Sequence, residues 1–208
     1  AKFSLQHGLE WNQLGSPVFG EVTLDRSPVF AIKHTDKWIG SDQWEVVDRK
    51  ALDNGILVKL EYQDEKTNLG AAVKIALTED GKIKMGLTLV NQGSEPFLGR
   101  VQFPILEGLK LGSLDDTWYY FSESAGAAMI HHEEGYVYAS HGAGHPHQVD
   151  SFFNPNEWYT LTLLSNDLEG QFHWYDLGKA EEGGWYRLEY LEKWIQPGAS
   201  WSFPECMI

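Results

Sequence analysis

The stretch "SHGAGHPHQVDSFFNPNEWY", residues 140–159, gathers groups able to move protons or hold a metal. His141, His145 and His147 follow the spacing H-x3-H-x-H, and Asp150 lies three residues further on. Imidazoles two and four residues apart can converge on zinc or copper. Metal ligands are normally fixed on rigid elements and held by outer hydrogen-bond partners, whereas Gly142, Gly144 and Pro146 break up this stretch. A hydrogen-bonding or loop-ordering role, or no special role, therefore fits these histidines better than a metal centre, and neither metal nor cofactor is expected. The run His131-His132-Glu133-Glu134 reads as a solvated strand end and turn.

Other kinds of chemistry find less support. Paired carboxylates that cleave a glycosidic bond stand roughly 5 to 9.5 Å apart. Asp115, Asp116, Glu123, Asp150 and Glu157 are all candidates, but nothing in the sequence brings two of them together. The chain has no G-x-S-x-G elbow and no phosphate-cradling glycine loop, so no catalytic residues are assigned.

The aromatic residues make a stronger case. Nine Trp, nine Tyr and ten Phe are more than a core of this size obviously absorbs. Alternation in "DTWYYFSESAG" places Trp118 and Tyr120 opposite Tyr119 and Phe121. In "GQFHWYDL" it sets Phe172 and Trp174 opposite His173 and Tyr175. In "GGWYRLEY" it sets Trp185, Arg187 and Glu189 opposite Tyr186, Leu188 and Tyr190. An indole or phenol beside a carboxylate or imidazole is a common way to hold a sugar ring, whose flat C–H faces are edged by hydroxyls. The expected ligand-binding residues are Trp118, Tyr120, His145, His147 and Asp150, with Trp174 and Trp185 as further platforms. In the competing reading, these rings fill the interior or pack on a neighbouring domain.

Such residues need elements to position them, and the pattern is β throughout. "ILVKLEYQ" sets Ile56, Val58, Leu60 and Tyr62 against Lys59, Glu61 and Gln63, the period of a half-buried strand. "KIKMGLTLVN" repeats it after the turn signal Glu79-Asp80-Gly81-Lys82, pairing with "AAVKIALTE" as a hairpin. Further strands are expected at 17–24, 28–33, 44–48, 97–103, 117–121, 127–131, 135–140, 158–165, 170–177, 185–191 and 200–203. Only "SDQWEVVDRKAL" approaches a helical pattern, and it is read as strand. Residues 104–116 and 141–157 are the long irregular pieces. The result is an all-β, antiparallel two-sheet sandwich with Ile56, Val58, Leu60, Ile83, Leu87, Leu89, Val101, Leu161 and Leu163 inside.

Bulk properties bound the rest. The 208 residues fit a single domain spanning 1–208. Thirty acidic residues against sixteen basic ones, for a formal charge of −14, argue against nucleic acid or an anionic membrane as partner. No apolar run is long enough to span a bilayer, and the single Cys206 excludes an internal disulfide. A start at Ala1 and an end at "WSFPECMI" suggest a piece processed or excised from a longer protein.

"GLTLVNQGSEPFLGRVQFPILEGLKLG", residues 86–112, resembles the β-supersandwich domain that precedes the catalytic barrel in several glycoside hydrolase families. That domain shares the galactose-mutarotase-like fold, and the resemblance extends over roughly residues 55–205, including the terminal "IQPGASWSFPEC". It implies an oligo- or polysaccharide partner, a possible catalytic domain in the same parent chain, and an extracellular or cell-surface setting. Aldose epimerases of this fold work with a His acid and a carboxylate base facing one sugar, a pair not matched here residue by residue. The expectation is a non-catalytic, carbohydrate-associated module. The alternatives are an epimerase- or lyase-like enzyme on the same fold and a purely structural domain packed on a partner.

Overall fold

The computed structural model describes all residues except 1, 7, 17–19, 114, 124–125, 131–134, 141–148, 169–170 and 172. Among the described residues the chain forms strands β1 (Lys2–Ser4), β2 (Glu10–Ser16), β3 (Gly20–Pro28), β4 (Ala31–His34), β5 (Lys37–Gly40), β6 (Glu45–Leu52), β7 (Gly55–Gln63), β8 (Asn68–Leu77), β9 (Ile83–Asn91) and β10 (Phe97–Leu109). These are followed by β11 (Trp118–Glu123), β12 (Gly126–Ile130), β13 (Gly135–Ser140), β14 (Val149–Asn154), β15 (Tyr159–Asn166), β16 (His173–Ala180), β17 (Gly183–Ile195), β18 (Ser200–Ser202) and β19 (Glu205–Met207). One 3-10 turn, Ser41–Gln43, interrupts them.

The strands make three antiparallel sheets. The largest has the order β12-β11-β14-β15-β19-β9-β8-β7-β6, with β18 also paired to β9. A six-stranded sheet runs β13-β16-β17-β10-β4-β5, and β1-β2-β3 form a small third sheet. Val58, Leu60, Val73, Met85, Leu87 and Leu89 of the large sheet share one core with Val101, Phe103, Tyr175, Leu177, Leu188 and Tyr190 of the six-stranded sheet. Rings lock the two layers together. Tyr190 packs edge-on against Phe203 with centroids 5.0 Å apart, and Phe103 meets the same ring at 6.4 Å. All nine residues expected inside contribute to this core, with Ile56 and Ile83 half-buried against it. A one-residue slip would turn the whole set outward, so the apolar pattern fixes the register.

Two expectations about irregular segments need correction. Residues 104–116 are not a loop from their start, because β10 continues to Leu109. Pro104 lacks an N–H, but it falls where the register against β17 shifts between Gln102 and Ile105, a bulge that needs no ladder donor there. Likewise 149–154 of the expected loop is the interior strand β14, paired to both β11 and β15. Its polar residues are satisfied within the fold. Asn154 Nδ2 donates to the Leu111 carbonyl oxygen at 2.7 Å, and Ser151 and Thr162 hydroxyls lie 3.0 Å apart. Of the stretch "SDQWEVVDRKAL", read as strand, Glu45–Leu52 is β6, whereas Ser41–Gln43 forms the 3-10 turn that Trp44 caps.

Candidate functional site

The alternation of β16 and β17 divides their side chains between two environments. Tyr175, Leu177, Tyr186, Leu188 and Tyr190 enter the core. Trp174, Asp176, Trp185, Arg187 and Glu189 therefore lie on the opposite face, since successive side chains of a strand point to opposite sides. β10 divides in the same way, with Val101 and Phe103 inward and Arg100 and Gln102 outward. The register then aligns the outward groups. Trp174 is paired with Glu189 and Glu189 with Gln102, while Asp176 is paired with Arg187 and Trp185 with Glu107.

Two polar clusters result. In the first, Glu189 is only 6% exposed. Its Oε1 accepts a hydrogen bond from Arg100 Nη2, and its Oε2 accepts one from Gln102 Nε2 at 3.1 Å. Each carboxylate oxygen has two lone pairs, so each keeps capacity for another donor. In the second, Arg187 bridges two acids. Its Nε and Nη2 donate to Glu107 Oε1 at 2.9 and 2.6 Å, and its Nη1 donates to Asp176 Oδ2 at 2.9 Å. Trp185 Nε1 donates to the other Asp176 oxygen at 2.8 Å. The two acids push the guanidinium pKa of Arg187 up against the opposing effect of burial. Below this cluster, Gly183 has φ 139°, and a Cβ there would lie 2.8 Å from the Gly108 backbone. Glycine thus permits the close approach of β10 and β17 that brings Glu107 beside Arg187.

The face therefore offers two half-buried indoles, Trp174 and Trp185, beside three carboxylates and two guanidiniums. Arg100 also lines a cleft of about 650 Å³ that opens beyond Glu189.

The other expected site residues lie elsewhere. Trp118 and Tyr120 are half-buried on β11 in the large sheet, and Trp118 stands against Phe153 with ring centroids 6.0 Å apart. Asp150 is 2% exposed, inside the sandwich, and its Oδ2 accepts from the Tyr186 hydroxyl at 3.3 Å. Burial pushes its carboxyl up to about 7, an effect the Tyr186 hydrogen bond partly offsets. His141, His145 and His147 lie outside the described residues. Sequence reasoning placed Trp174, Trp185, Arg187 and Glu189 by alternation but missed Arg100, Gln102 and Glu107, because the register of β10 against β17 shifts at Gly99/Val101 and again at Gln102/Ile105.

Solved structures similar to this chain cover nearly all of it. A galactose mutarotase-like protein from Lactobacillus casei matches with a TM-score of 0.58 at 13% identity, over 100% of this chain and 97% of its own. A galactose mutarotase related enzyme from Lactobacillus acidophilus matches with a TM-score of 0.56 at 11% identity, over 97% and 91%. A putative aldose 1-epimerase from Escherichia coli K12 gives 0.51 at 14%, over 99% and 77%. The fold is galactose-mutarotase-like. No protein-family model and no curated protein sequence matches the chain. These neighbours correct the expectation of a non-catalytic accessory module. They are a galactose mutarotase-like protein, a galactose mutarotase related enzyme and a putative aldose 1-epimerase, matched over 97%, 91% and 77% of their own chains and not through a domain preceding a barrel.

Proposed function

We propose that this chain is an epimerase-like carbohydrate enzyme that interconverts the anomers of a sugar by proton transfer on the outward face of the six-stranded sheet. The observation that carries the reading is Glu189, a nearly dehydrated carboxylate fixed by Arg100 and Gln102 in a row with an indole. The galactose mutarotase related enzyme and the putative aldose 1-epimerase among the solved neighbours support the reaction class by fold likeness.

Anomer interconversion needs a base at the anomeric O1–H and an acid at the ring oxygen. The base removes the O1 proton, the C1–O5 bond breaks as the acid protonates O5, and an open aldehyde forms. Rotation about C1–C2 followed by the reverse transfers closes the ring in the other configuration. Glu189 takes the base role, because Arg100 and Gln102 hold it in place and its remaining lone pairs can accept the O1 proton. Trp174 beside it supplies a flat apolar surface for the C–H face of the sugar, and Asp176 with Arg187 can bind peripheral hydroxyls.

For the acid we assign the histidine segment. Ser140, the last residue of β13, pairs with Trp174 in the row of Glu189, and His141 is the next residue in the chain. His145 and His147 serve the same site in this proposal.

Polarimetry or NMR exchange spectroscopy with freshly dissolved α-D-glucose and α-D-galactose tests the reading. The wild-type chain accelerates interconversion, and Glu189→Gln loses roughly 10²- to 10⁴-fold. A wild-type chain that exceeds the buffer rate on neither monosaccharide nor on a reducing oligosaccharide such as lactose, or a Glu189→Gln variant with full activity, overturns it.

A further inference from the structure

The cleft beyond Glu189 belongs to the same track of outward-facing rows. Along β10 the outward residues Gln102, Arg100 and Leu98 pair in turn with Glu189 on β17, Lys33 on β4 and Trp194 on β17. Four residues of strand separate the Gln102 row from the Leu98 row, about 13 Å. That is longer than a single sugar ring needs. Arg100 joins the two regions, since its Nη2 holds Glu189 while its side chain also lines the cleft.

The cleft is built for a hydroxylated ligand. Lys33, Lys66 and Arg100 are balanced in its lining by Glu65, Glu95 and Glu192, so it carries no field that would favour a polyanion. Trp194 forms its far wall and is 60% exposed. His34 stacks on Phe97 with centroids 5.8 Å apart, and its Nε2 lies 3.3 Å from Thr67 Oγ1 and 3.4 Å from Asp64 Oδ2. The imidazole is thereby fixed as a polar wall. An exposed indole at one end and held polar groups along the side repeat the chemistry of the Glu189 face.

We infer that this cleft binds the non-reducing remainder of an oligosaccharide whose reducing-end ring sits at Glu189, so that the substrate is an oligosaccharide. This rests on the proposed function for the location of the reacting ring. The indole of Trp194 stacks on the outermost sugar, while Lys33 and Arg100 donate to hydroxyls between.

The test compares anomer interconversion of glucose and galactose with that of lactose, maltotetraose and cellotetraose, for wild type and Trp194→Ala. Trp194 is largely exposed, so the variant folds. At least one oligosaccharide should exceed its monosaccharide in kcat/KM by tenfold or more. Trp194→Ala should reduce that ratio at least tenfold through KM. If no oligosaccharide is preferred, or the ratio is unmoved by Trp194→Ala, the inference is overturned while the proposed function stands. Binding is read separately from tryptophan indole NMR signals. If no sugar is turned over but an oligosaccharide shifts the Trp194 signal and Trp194→Ala abolishes binding, the proposed reaction fails and the cleft assignment survives. Absence of both turnover and binding overturns the two together.

Discussion

The two faces of β16 and β17 hold carboxylates in opposite ways. Glu189 on the outward face and Asp150, which meets Tyr186 on the inward face, are 6% and 2% exposed respectively. Glu189 is matched to the Arg100 guanidinium and the Gln102 amide. Asp150 accepts from the phenol of Tyr186 and has its carboxyl pushed up to about 7 by burial. Solvent exclusion alone therefore does not mark a site. The outward face places a charge where a ligand can replace water and supplies counter-charge for it, while the inward face holds a carboxyl that is protonated through much of the acidic range.

The largest effect expected from this contrast is structural. Phe152 is fully buried on β14, two residues from Asp150, in the same core as Tyr186 and Leu188. Phe152→Ala should cost about 3–5 kcal/mol by chemical denaturation, the usual toll of emptying a core aromatic position. A cost below about 1 kcal/mol would show that the inward face is not the packed side.

A pH effect should come next. The Asp150 pKa is raised in the fold from 3.8 to about 7. The native state then binds more protons than the unfolded chain between those values, so stability falls as pH rises from about 4 to about 7 and levels off above. The decline attributable to this group is roughly 2–4 kcal/mol, from about 1.4 kcal/mol per pH unit of displacement reduced for relaxation of the site. Asp150→Asn should remove that decline, as measured by denaturant midpoints at pH 5 and pH 8. An equal decline in wild type and variant would show that the Asp150 carboxyl is not held up.

How much of this contrast was legible in the sequence depends on bulges. β17 keeps strict alternation from Trp185 to Tyr190, and its two faces could be separated residue by residue from "GGWYRLEY". β10 shifts register against β17 at three places, between Gly99 and Val101, Gln102 and Ile105, and Glu107 and Leu109. Past the first of these, period-two reasoning no longer tells which side Glu107 takes, and Pro104 reads as a strand end. β2 hides itself in the same way. Leu9, Trp11 and Leu14 are all buried although the spacing changes, because a register shift lies between Trp11 and Gln13. Asp150 and Asn154 made β14 look like a loop, since polar residues are interior only when partners from distant strands satisfy them, and those partners are set by topology. The convergence of Arg187, Glu107 and Asp176 likewise needs three strands in register, which no local pattern encodes.

The smallest predicted effects compare neighbours in sequence. Trp185 and Tyr186 are adjacent, and each donates a hydrogen bond to a carboxylate, Trp185 to Asp176 on the outward face and Tyr186 to Asp150 inside. Asp176 keeps Arg187 when the indole donor is removed, and Trp185 is only half-buried, so water can take the vacated position. Trp185→Phe should therefore cost no more than about 1 kcal/mol, the net worth of one partly exposed hydrogen bond, and the cost should be the same at pH 5 and pH 8. Tyr186→Phe removes a donor that lowers the Asp150 pKa in a site closed to water. Its cost should be about 1–2 kcal/mol and larger at pH 8, where the carboxylate is ionised and needs the donor most, than at pH 5, where the protonated acid is favoured. Thermal or denaturant unfolding of the two variants at both pH values decides the matter. Equal pH dependence in the two variants would mean that the neighbouring donors work in the same electrostatic environment, and the distinction between the faces would fail at its centre.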